Sequence, residues 1–173
     1  MTLAYGQLGR FTVRTPMGDL TVLADCASDT VIAAGFTSYA SLWNRLAALS
    51  GDTNLVLRQI PEPGSIAGPI AAYFAGATDQ LEQLKVHQPG TEFQHMVWDA
   101  LRAIPAGQTR TYGELAQSIG RPKAVRAVGS ACGRNLVAPI IPCHRALRSD
   151  GALGGYYYGL HIKQSLLTHE SKR

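Results

Sequence analysis

Residues 111–132 read TYGELAQSIGRPKAVRAVGSAC, and this stretch decides the fold of the C-terminal half of the chain. Thr111 and Glu114 have the spacing of a capping box, which predicts a short helix. A glycine-containing turn follows, and Pro122 suits the first position of a second helix over roughly residues 123–132. A helix, a tight turn and another helix together predict a helix-turn-helix motif.

The second of these helices is slim. Ala127, Gly129 and Ser130 leave it with little bulk, and Arg126 is its one long polar side chain in mid-helix. Small side chains allow a helix to approach a neighbour closely, which would serve packing on another helix as well as docking into a nucleic-acid groove. The slim composition therefore leaves both interpretations open.

Charge separates the two halves of this 173-residue chain. The formal net charge is +4, and it divides into −2 for residues 1–90 and +6 for residues 91–173. Residues 121–148 hold six basic side chains and no acidic one. This block favours a surface that faces a polyanion, although a solvated basic face would have the same composition.

The N-terminal half is patterned as strands followed by helices. Residues 11–14 and 20–23 flank a turn with proline and glycine, which predicts a β-hairpin, and residues 31–36 suit a third strand. Helical patterns cover residues 39–49 and 66–75, and the stretch 52–64 is expected to be a loop.

Gln88–Gly90 marks the best domain boundary, because Thr91 and Gln94 directly afterwards form another capping box. We therefore expect an α+β protein. An N-terminal strand-and-helix scaffold domain would span residues 1–88. A mainly helical domain with the helix-turn-helix would span residues 89–173.

The tetrad Pro142-Cys143-His144-Arg145 carries the most chemistry. A free thiol is only a few per cent ionised near neutral pH, so a nucleophilic cysteine needs a neighbouring base or cation. His144 and Arg145 could supply both. The alternative is a buried cysteine beside basic residues that have no chemical role.

The three cysteines, Cys26, Cys132 and Cys143, are too few and too scattered for a disulfide framework or a zinc site. No apolar run approaches the roughly 18 residues that a membrane helix needs, and residues 1–14 lack the pattern of a signal peptide. We expect a reduced, cytoplasmic setting, no membrane partner, no metal and no cofactor.

At this point the sequence resembles a known family, the O6-alkylguanine-DNA alkyltransferases, also called methylated-DNA–protein-cysteine methyltransferases. The resemblance covers residues 91–170 well and the N-terminal part only loosely. It runs through ordered blocks at residues 93–107, 111–116, 124–129, 141–145, 151–156 and 163–170. The family implies direct, irreversible, single-turnover transfer of an alkyl group from O6 of guanine in duplex DNA to an internal cysteine.

The resemblance gives each matching residue a role. Cys143 matches the acceptor, and His144 matches the residue that takes the thiol proton through a water, supported by the Glu170 carboxylate. Asn135 matches a hinge before the cysteine segment. Arg126 matches the finger that fills the space of an extruded nucleotide.

Further residues match the DNA-binding helix and the guanine pocket. Tyr112 matches the residue that promotes nucleotide rotation, and Ala127, Gly129 and Ser130 belong to the helix that enters the minor groove. The residues expected around the substrate pocket are Tyr112, Arg145, Tyr156, Tyr157, Tyr158 and Lys163. The implied partner is double-stranded DNA with O6-alkylguanine lesions, bound by a monomer; cooperativity on DNA and activity on O4-alkylthymine stay open.

The chain departs from the family pattern in three respects. Leu136 replaces a proline, which suggests a less rigid turn. Tyr157 and Tyr158 replace small residues, which suggests a smaller pocket. Cys26 and His87 lie near two ligands of a structural zinc found in some members, but two ligands do not make such a site.

Two other functions remain to be weighed. Alkyltransferase-like proteins recognise lesions without accepting the group, but they replace the cysteine of the tetrad, so Cys143 argues against this class. A cysteine hydrolase that uses Cys143 and His144 would need an oxyanion-binding element and would turn over.

Overall fold

The computed structural model describes residues 8–51 and 57–171. The chain forms two compact units, one of Met1–Pro89 with Leu136–Ala138 and one of Gly90–Asn135 with Pro139–Arg173. The return of residues 136–138 to the first unit is a feature that the sequence pattern does not indicate. That the units act as separate domains divided after residue 88 stays a prediction.

The first unit is built on a sheet in which the described strands have the order β4-β1-β2-β3-β5. The predicted hairpin is confirmed, since β1 and β2 pair antiparallel up to a tight turn where Thr15 faces Gly18. The strands are β1 Leu8–Thr15, β2 Gly18–Asp25, β3 Thr30–Gly35, β4 Leu57–Gln59 and β5 Lys85–Val86. The helices are α1 Tyr39–Ser50 and α2 Gly64–Phe74, with a short 3-10 helix at Gln80–Gln83.

The stretch 52–64 is expected to be a loop, and this is wrong for Leu57–Gln59 and for Gly64, which begins α2. Leu57–Gln59 forms β4, which pairs parallel with β1 over Leu8 to Arg10. A short strand at a sheet edge needs little apolar periodicity, because its backbone bonds to the neighbouring strand hold it. Residues 52–56 of the expected loop lie outside the described residues.

Leu136–Ala138 bonds to β3 of the first unit. The Ala34 N–H donates to the Leu136 carbonyl at 2.8 Å, and the Ala138 N–H donates to the Ala34 carbonyl at 3.0 Å. The Leu136 N–H donates to Oε1 of the buried Gln88 at 2.7 Å. A proline at position 136 would have no N–H to give, so this departure from the family pattern adds a bond instead of loosening the turn.

The second unit is mainly helical. Its elements are α3 Glu92–Arg102, β6 Arg110–Thr111, α4 Tyr112–Ser118, α5 Val125–Arg134, a 3-10 turn at Cys143–Arg145, β7 Ala146–Leu147 and α6 Leu160–Ser171. Both expected capping boxes are confirmed. Thr91 and Gln94 bond reciprocally at the start of α3, and Thr111 and Glu114 do so at the start of α4.

The turn between α4 and α5 follows the glycine as expected, but Pro122 is not the first residue of α5. Gly120 has a φ of 70° and its N–H donates to the Gln117 carbonyl, while the Arg121 N–H donates to the Ala116 carbonyl. These two bonds complete a Schellman termination of α4. The chain needs a further turn, closed by Ala124 N–H on the Arg121 carbonyl, before α5 begins at Val125.

The two units together make the α+β fold that the sequence predicts. Each buries an apolar core of its own, and in the second unit Val97, Leu101 and Leu166 are fully buried. Among the described residues, no helix combines the length and apolar character needed to cross a bilayer.

Candidate functional site: a buried thiol in a cavity of the second unit

A cavity of about 840 Å³ opens within the second unit. Its lining comes from α4, from the inner side of α5, from the cysteine turn and from the loop before α6. The lining residues are Tyr112, Gly129, Cys132, Gly133, Asn135, Cys143, Arg148, Ala152, Leu153, Gly154, Gly155, Tyr156, Tyr157, Tyr158 and Leu160.

Cys143 begins the 3-10 turn and is only 8% exposed. The side-chain amide of Asn135, at the end of α5, donates to the Ile141 carbonyl at 2.8 Å and to Cys143 Sγ at 3.2 Å. An N–H that points at sulfur favours the thiolate over the thiol. Asn135 thus fixes the chain just before the thiol and also acts on the sulfur itself.

His144 is completely buried, and its Nε2 lies 2.9 Å from Oε1 of Glu170 in α6. An ionised carboxylate only accepts hydrogen bonds, so Nε2 carries the proton and Nδ1 keeps its lone pair. Nδ1 has no hydrogen-bond partner among the described residues. The tautomer set by Glu170 therefore leaves a basic nitrogen on the ring next to the thiol in sequence.

Arg145 holds Glu170 from the other side. Its Nε donates to Oε2 at 2.9 Å and its Nη2 to Oε1 at 2.8 Å, while Nη1 donates to the Ile104 carbonyl at the end of the α3 region. Burial alone would raise the pKa of Glu170. Its bonds to His144 and the guanidinium of Arg145 outweigh burial and hold this pKa well below the usual range.

Burial lowers the pKa of His144, and the positive charges of Arg145 and Lys163 add to that effect. The Glu170 carboxylate opposes the shift without reversing it. The imidazole is consequently neutral at physiological pH, the form in which it can accept a proton.

Tyr112 opens α4 and lies half-buried in the cavity lining. Burial, with smaller effects of Cys132 and Cys143, raises its pKa to about 12. Its phenol therefore keeps its proton at neutral pH and is a hydrogen-bond donor. Gly154, at a φ of 69°, lets the loop pass close to this ring, since a Cβ there would stand 2.9 Å from the Tyr112 hydroxyl.

The three consecutive tyrosines all reach the cavity lining but are held differently. Tyr158 packs edge-on against Tyr156 and Tyr157, with ring centroids 5.8 and 5.2 Å away. Tyr157 is 57% exposed, whereas Tyr156 and Tyr158 are half-buried. The Tyr157 ring thus lies at the cavity mouth and packs against Tyr158.

Arg145 and Lys163 were expected around the substrate pocket, but the structure places them behind it. The Arg145 guanidinium donates its hydrogen bonds to Glu170 and to the Ile104 carbonyl. Lys163 is fully buried, and its ammonium donates hydrogen bonds to backbone carbonyls. Cys132 does line the cavity, although nothing in its sequence context distinguishes it. Its inward position follows from the face of α5 that also buries Val128 and Ala131.

The opposite face of α5 is exposed. Arg126, Ala127 and Ser130 face solvent, and Gly129 is partly covered. The inner face is fixed in place by the Trp98 indole, whose N–H donates to the Ala131 carbonyl at 2.9 Å. Small residues therefore occupy the outer side of α5, and Gly129 and Gly133 carry the same low bulk into the cavity wall.

The second unit thus combines a buried thiol that accepts an amide N–H with an adjacent histidine that is paired with a buried carboxylate. Residues 92–172 match the family described as 6-O-methylguanine DNA methyltransferase, DNA binding domain. The methylated-DNA–protein-cysteine methyltransferase of Methanosarcina acetivorans is 54% identical over 101 residues. That alignment covers 58% of this chain and 64% of the relative, slightly under two thirds of its length.

The protein of the same name from Mycobacterium bovis is 46% identical over 116 residues, covering 65% of this chain and 70% of the relative. A crystal structure of Mycobacterium tuberculosis OGT in complex with DNA has a TM-score of 0.77 and 35% identity, over 94% of this chain and 92% of that one. The chain belongs to the methylated-DNA–protein-cysteine methyltransferase family.

Proposed function

We propose that this protein repairs DNA by moving an alkyl group, foremost methyl, from O6 of guanine to Cys143. The observation that carries the proposal is the arrangement around the thiol. Cys143 lines the cavity, and its Sγ accepts a hydrogen bond from the Asn135 amide at 3.2 Å. Glu170 lies 2.9 Å from Nε2 of the adjacent His144 and sets the tautomer of that ring. The family relationship makes an alkylated guanine the natural occupant of this cavity.

The chemistry is one displacement. The Cys143 proton passes to Nδ1 of His144 through a water, and the thiolate attacks the alkyl carbon. The carbon–O6 bond breaks as the carbon–sulfur bond forms, and its electron pair returns to the guanine ring. The proton that His144 took up is released to solvent, and a proton from solvent restores the normal base, to which the Tyr112 phenol can donate a hydrogen bond. The thioether does not hydrolyse, so each molecule acts once.

Binding of duplex DNA completes the proposal. A base inside the duplex cannot reach a cavity thiol, so the nucleotide must be extruded. The exposed face of α5, made of Arg126, Ala127, Gly129 and Ser130, has the low bulk that close approach to a minor groove requires. Arg126 would fill the vacated space, and Tyr112 would contact the extruded base. The basic block at residues 121–148 supplies phosphate attraction.

The finer points also belong to this proposal. We propose that the protein acts as a monomer on chromosomal DNA in the cytoplasm and needs no cofactor. Guanine is the principal substrate, and O4-alkylthymine is a secondary one to be tested beside it. Residues 1–88 would form a scaffold domain and residues 89–173 the domain that binds DNA and accepts the alkyl group.

The test is intact-protein mass spectrometry after incubation with duplex DNA that contains O6-methylguanine. One methyl group per molecule, located on Cys143 by peptide mapping, is the expected result. Cys143→Ala should bind the same DNA and gain no mass. Turnover beyond one equivalent would indicate a hydrolase, and a label on Cys26 or Cys132 would contradict the assignment of the acceptor.

A further inference from the structure

Lys163 lies in the first turn of α6 and is 0% exposed. Its ammonium donates to the Ala146 carbonyl at 2.6 Å, to the Leu153 carbonyl, and over 3.5 Å to the Gly155 carbonyl. An ammonium has three protons to donate. All three point at backbone oxygens, so this side chain is held by the surrounding chain in one position.

The three carbonyls belong to two stretches of chain that form walls of the cavity, one between the lining residues Cys143 and Arg148 and one in the loop before α6. Ala146 begins β7 directly after the cysteine turn, whereas Leu153 and Gly155 line the cavity in the loop before the tyrosine cluster. One buried side chain therefore ties the strand that follows the thiol to the loop that lines the cavity before α6. A shift of either wall would break at least one of its bonds.

The charge of Lys163 is not matched by a carboxylate: none of the ion pairs among the described residues includes it. A buried cation without a counter-ion is costly, and burial lowers the pKa of Lys163 accordingly. The groups that oppose this shift are the thiols of Cys143 and Cys132. The ammonium also lies close to the acceptor by geometry, because the Ala146 carbonyl that it bonds at 2.6 Å directly follows the Cys143–Arg145 turn.

We propose that Lys163 is a positioning residue for alkyl transfer, a role that rests on the proposed function. Its hydrogen bonds hold the cavity walls together, and its charge favours the thiolate of Cys143 over the thiol. Lys163 keeps its own protons; the proton of Cys143 still goes to His144. The other titratable or charged groups around Cys143 come from every neighbouring element. They are Tyr112 of α4, Cys132 of α5, His144 and Arg145 of the cysteine turn, Arg148 after β7, Tyr156, Tyr157 and Tyr158 of the loop before α6, and Glu170 of α6.

The two roles can be separated by three variants. Lys163→Met removes charge and donors, Lys163→Gln keeps donors without charge, and Lys163→Arg keeps the charge. Lys85→Met is the matched control, since it removes the same charge from an exposed position in β5. Each folded variant is treated with iodoacetamide across pH, and carboxamidomethylation of the Cys143 peptide is followed by mass spectrometry. This probe reports the thiolate without DNA.

We expect Lys163→Met and Lys163→Gln to react about tenfold more slowly than native protein at pH 7, with profiles shifted to higher pH. Lys163→Arg should retain most of the native rate, and Lys85→Met all of it. Profiles of Lys163→Gln and Lys163→Arg that coincide would overturn the role of the charge. That comparison remains decisive even where Lys163→Met fails to fold.

Single-turnover transfer from duplex O6-methylguanine is then measured on the same variants. Lys163→Met should lose more rate than Lys163→Gln, because only the former also releases the walls. Equal rates in those two variants would overturn the bracing role. A native protein that accepts no methyl group, while its iodoacetamide profile still depends on Lys163, would contradict the proposed function and leave the charge effect intact.

Discussion

Two regions of the second unit are held in opposite ways. The acceptor relay consists of Cys143, His144, Arg145 and Glu170, all buried, with side-chain contacts of 2.8 to 2.9 Å between the last three. The slim face consists of Arg126, Ala127 and Ser130, which face solvent, and of Gly129 at its edge, which also lines the cavity. In the described structure Arg126 makes no side-chain hydrogen bond or ion pair.

The contrast indicates a division of labour. The relay is organised before any substrate arrives, so damage to it should alter chemistry and stability on every substrate. The slim face gains its contacts only from DNA, so changes there should act on duplex substrates alone. The predictions below test this division.

Glu170→Gln should have the largest effect. The amide cannot favour a positive charge on His144, and it leaves the buried Arg145 without its anion. We expect single-turnover transfer to slow by about 100-fold on DNA and on free O6-methylguanine alike. We also expect the free energy of unfolding, measured with urea, to fall by about 3 kcal/mol.

Asp150→Asn is the matched control for that variant. Asp150 faces Arg148 at 3.6 Å, but both side chains are more than half exposed. Removing this carboxylate should leave the urea midpoint nearly unchanged. If Glu170→Gln slowed transfer from duplex DNA but not from free O6-methylguanine, the proposed division between the two regions would be wrong.

Arg126→Ala should slow repair in duplex DNA by roughly 30-fold, because a side chain that fills the vacated space offsets part of the few kcal/mol of unstacking. Transfer from the free modified base should keep its native rate. Arg134→Ala removes the same charge from the last turn of the same helix and should lower DNA affinity without the added loss in rate. Equal losses on both substrates would assign Arg126 to the pocket or to folding.

Stability should depend on pH through His144. Its folded pKa is lowered from the ordinary 6.5, so the unfolded chain binds a proton that the folded protein excludes. The free energy of unfolding should therefore fall as pH drops below 6.5, by up to about 1.4 kcal/mol per pH unit, until the folded pKa is reached. When the free energy of unfolding is measured with urea at a series of pH values, His144→Gln should reduce its pH dependence below pH 6.5. An unchanged pH dependence would mean that another group titrates.

The smallest effect concerns the tyrosines at the cavity. If their rings take up space that a benzyl group needs, Tyr158→Gly should raise transfer from O6-benzylguanine by roughly fivefold relative to O6-methylguanine. Tyr157→Ser should change this ratio less, because the Tyr157 ring lies at the mouth and is 57% exposed. Native rates that are equal for the two adducts would show that neither ring restricts the pocket.

Sequence patterns predicted the features that depend on neighbouring residues. The capping boxes at Thr91 and Thr111 and the hairpin turn near Gly18 are set by contacts within a few positions, and the structure has them as expected. The start of α5 was wrong because Pro122 fits two kinds of turn. Which of the two turns forms depends on how the end of α4 at Gly120 connects to α5.

Long-range contacts explain what the sequence did not reveal. Arg145 and Lys163 look alike as basic residues near a pocket, yet one clamps Glu170 and the other braces three carbonyls. Gln88 reads as part of a linker, although it is buried and bonds to Leu136, 48 positions later. Such partners are chosen by tertiary packing, and no local pattern encodes them.

The strand-like return of residues 136–138 has a consequence for how the chain can be divided. A fragment that begins at Gly90 would keep Cys143 and its relay but would lose Ala34 and Gln88. Three backbone groups, the N–H and carbonyl of Leu136 and the N–H of Ala138, would then need new partners only a few residues before the acceptor. The thiol is thus carried by a segment that a single cut in the sequence cannot separate cleanly from the first unit.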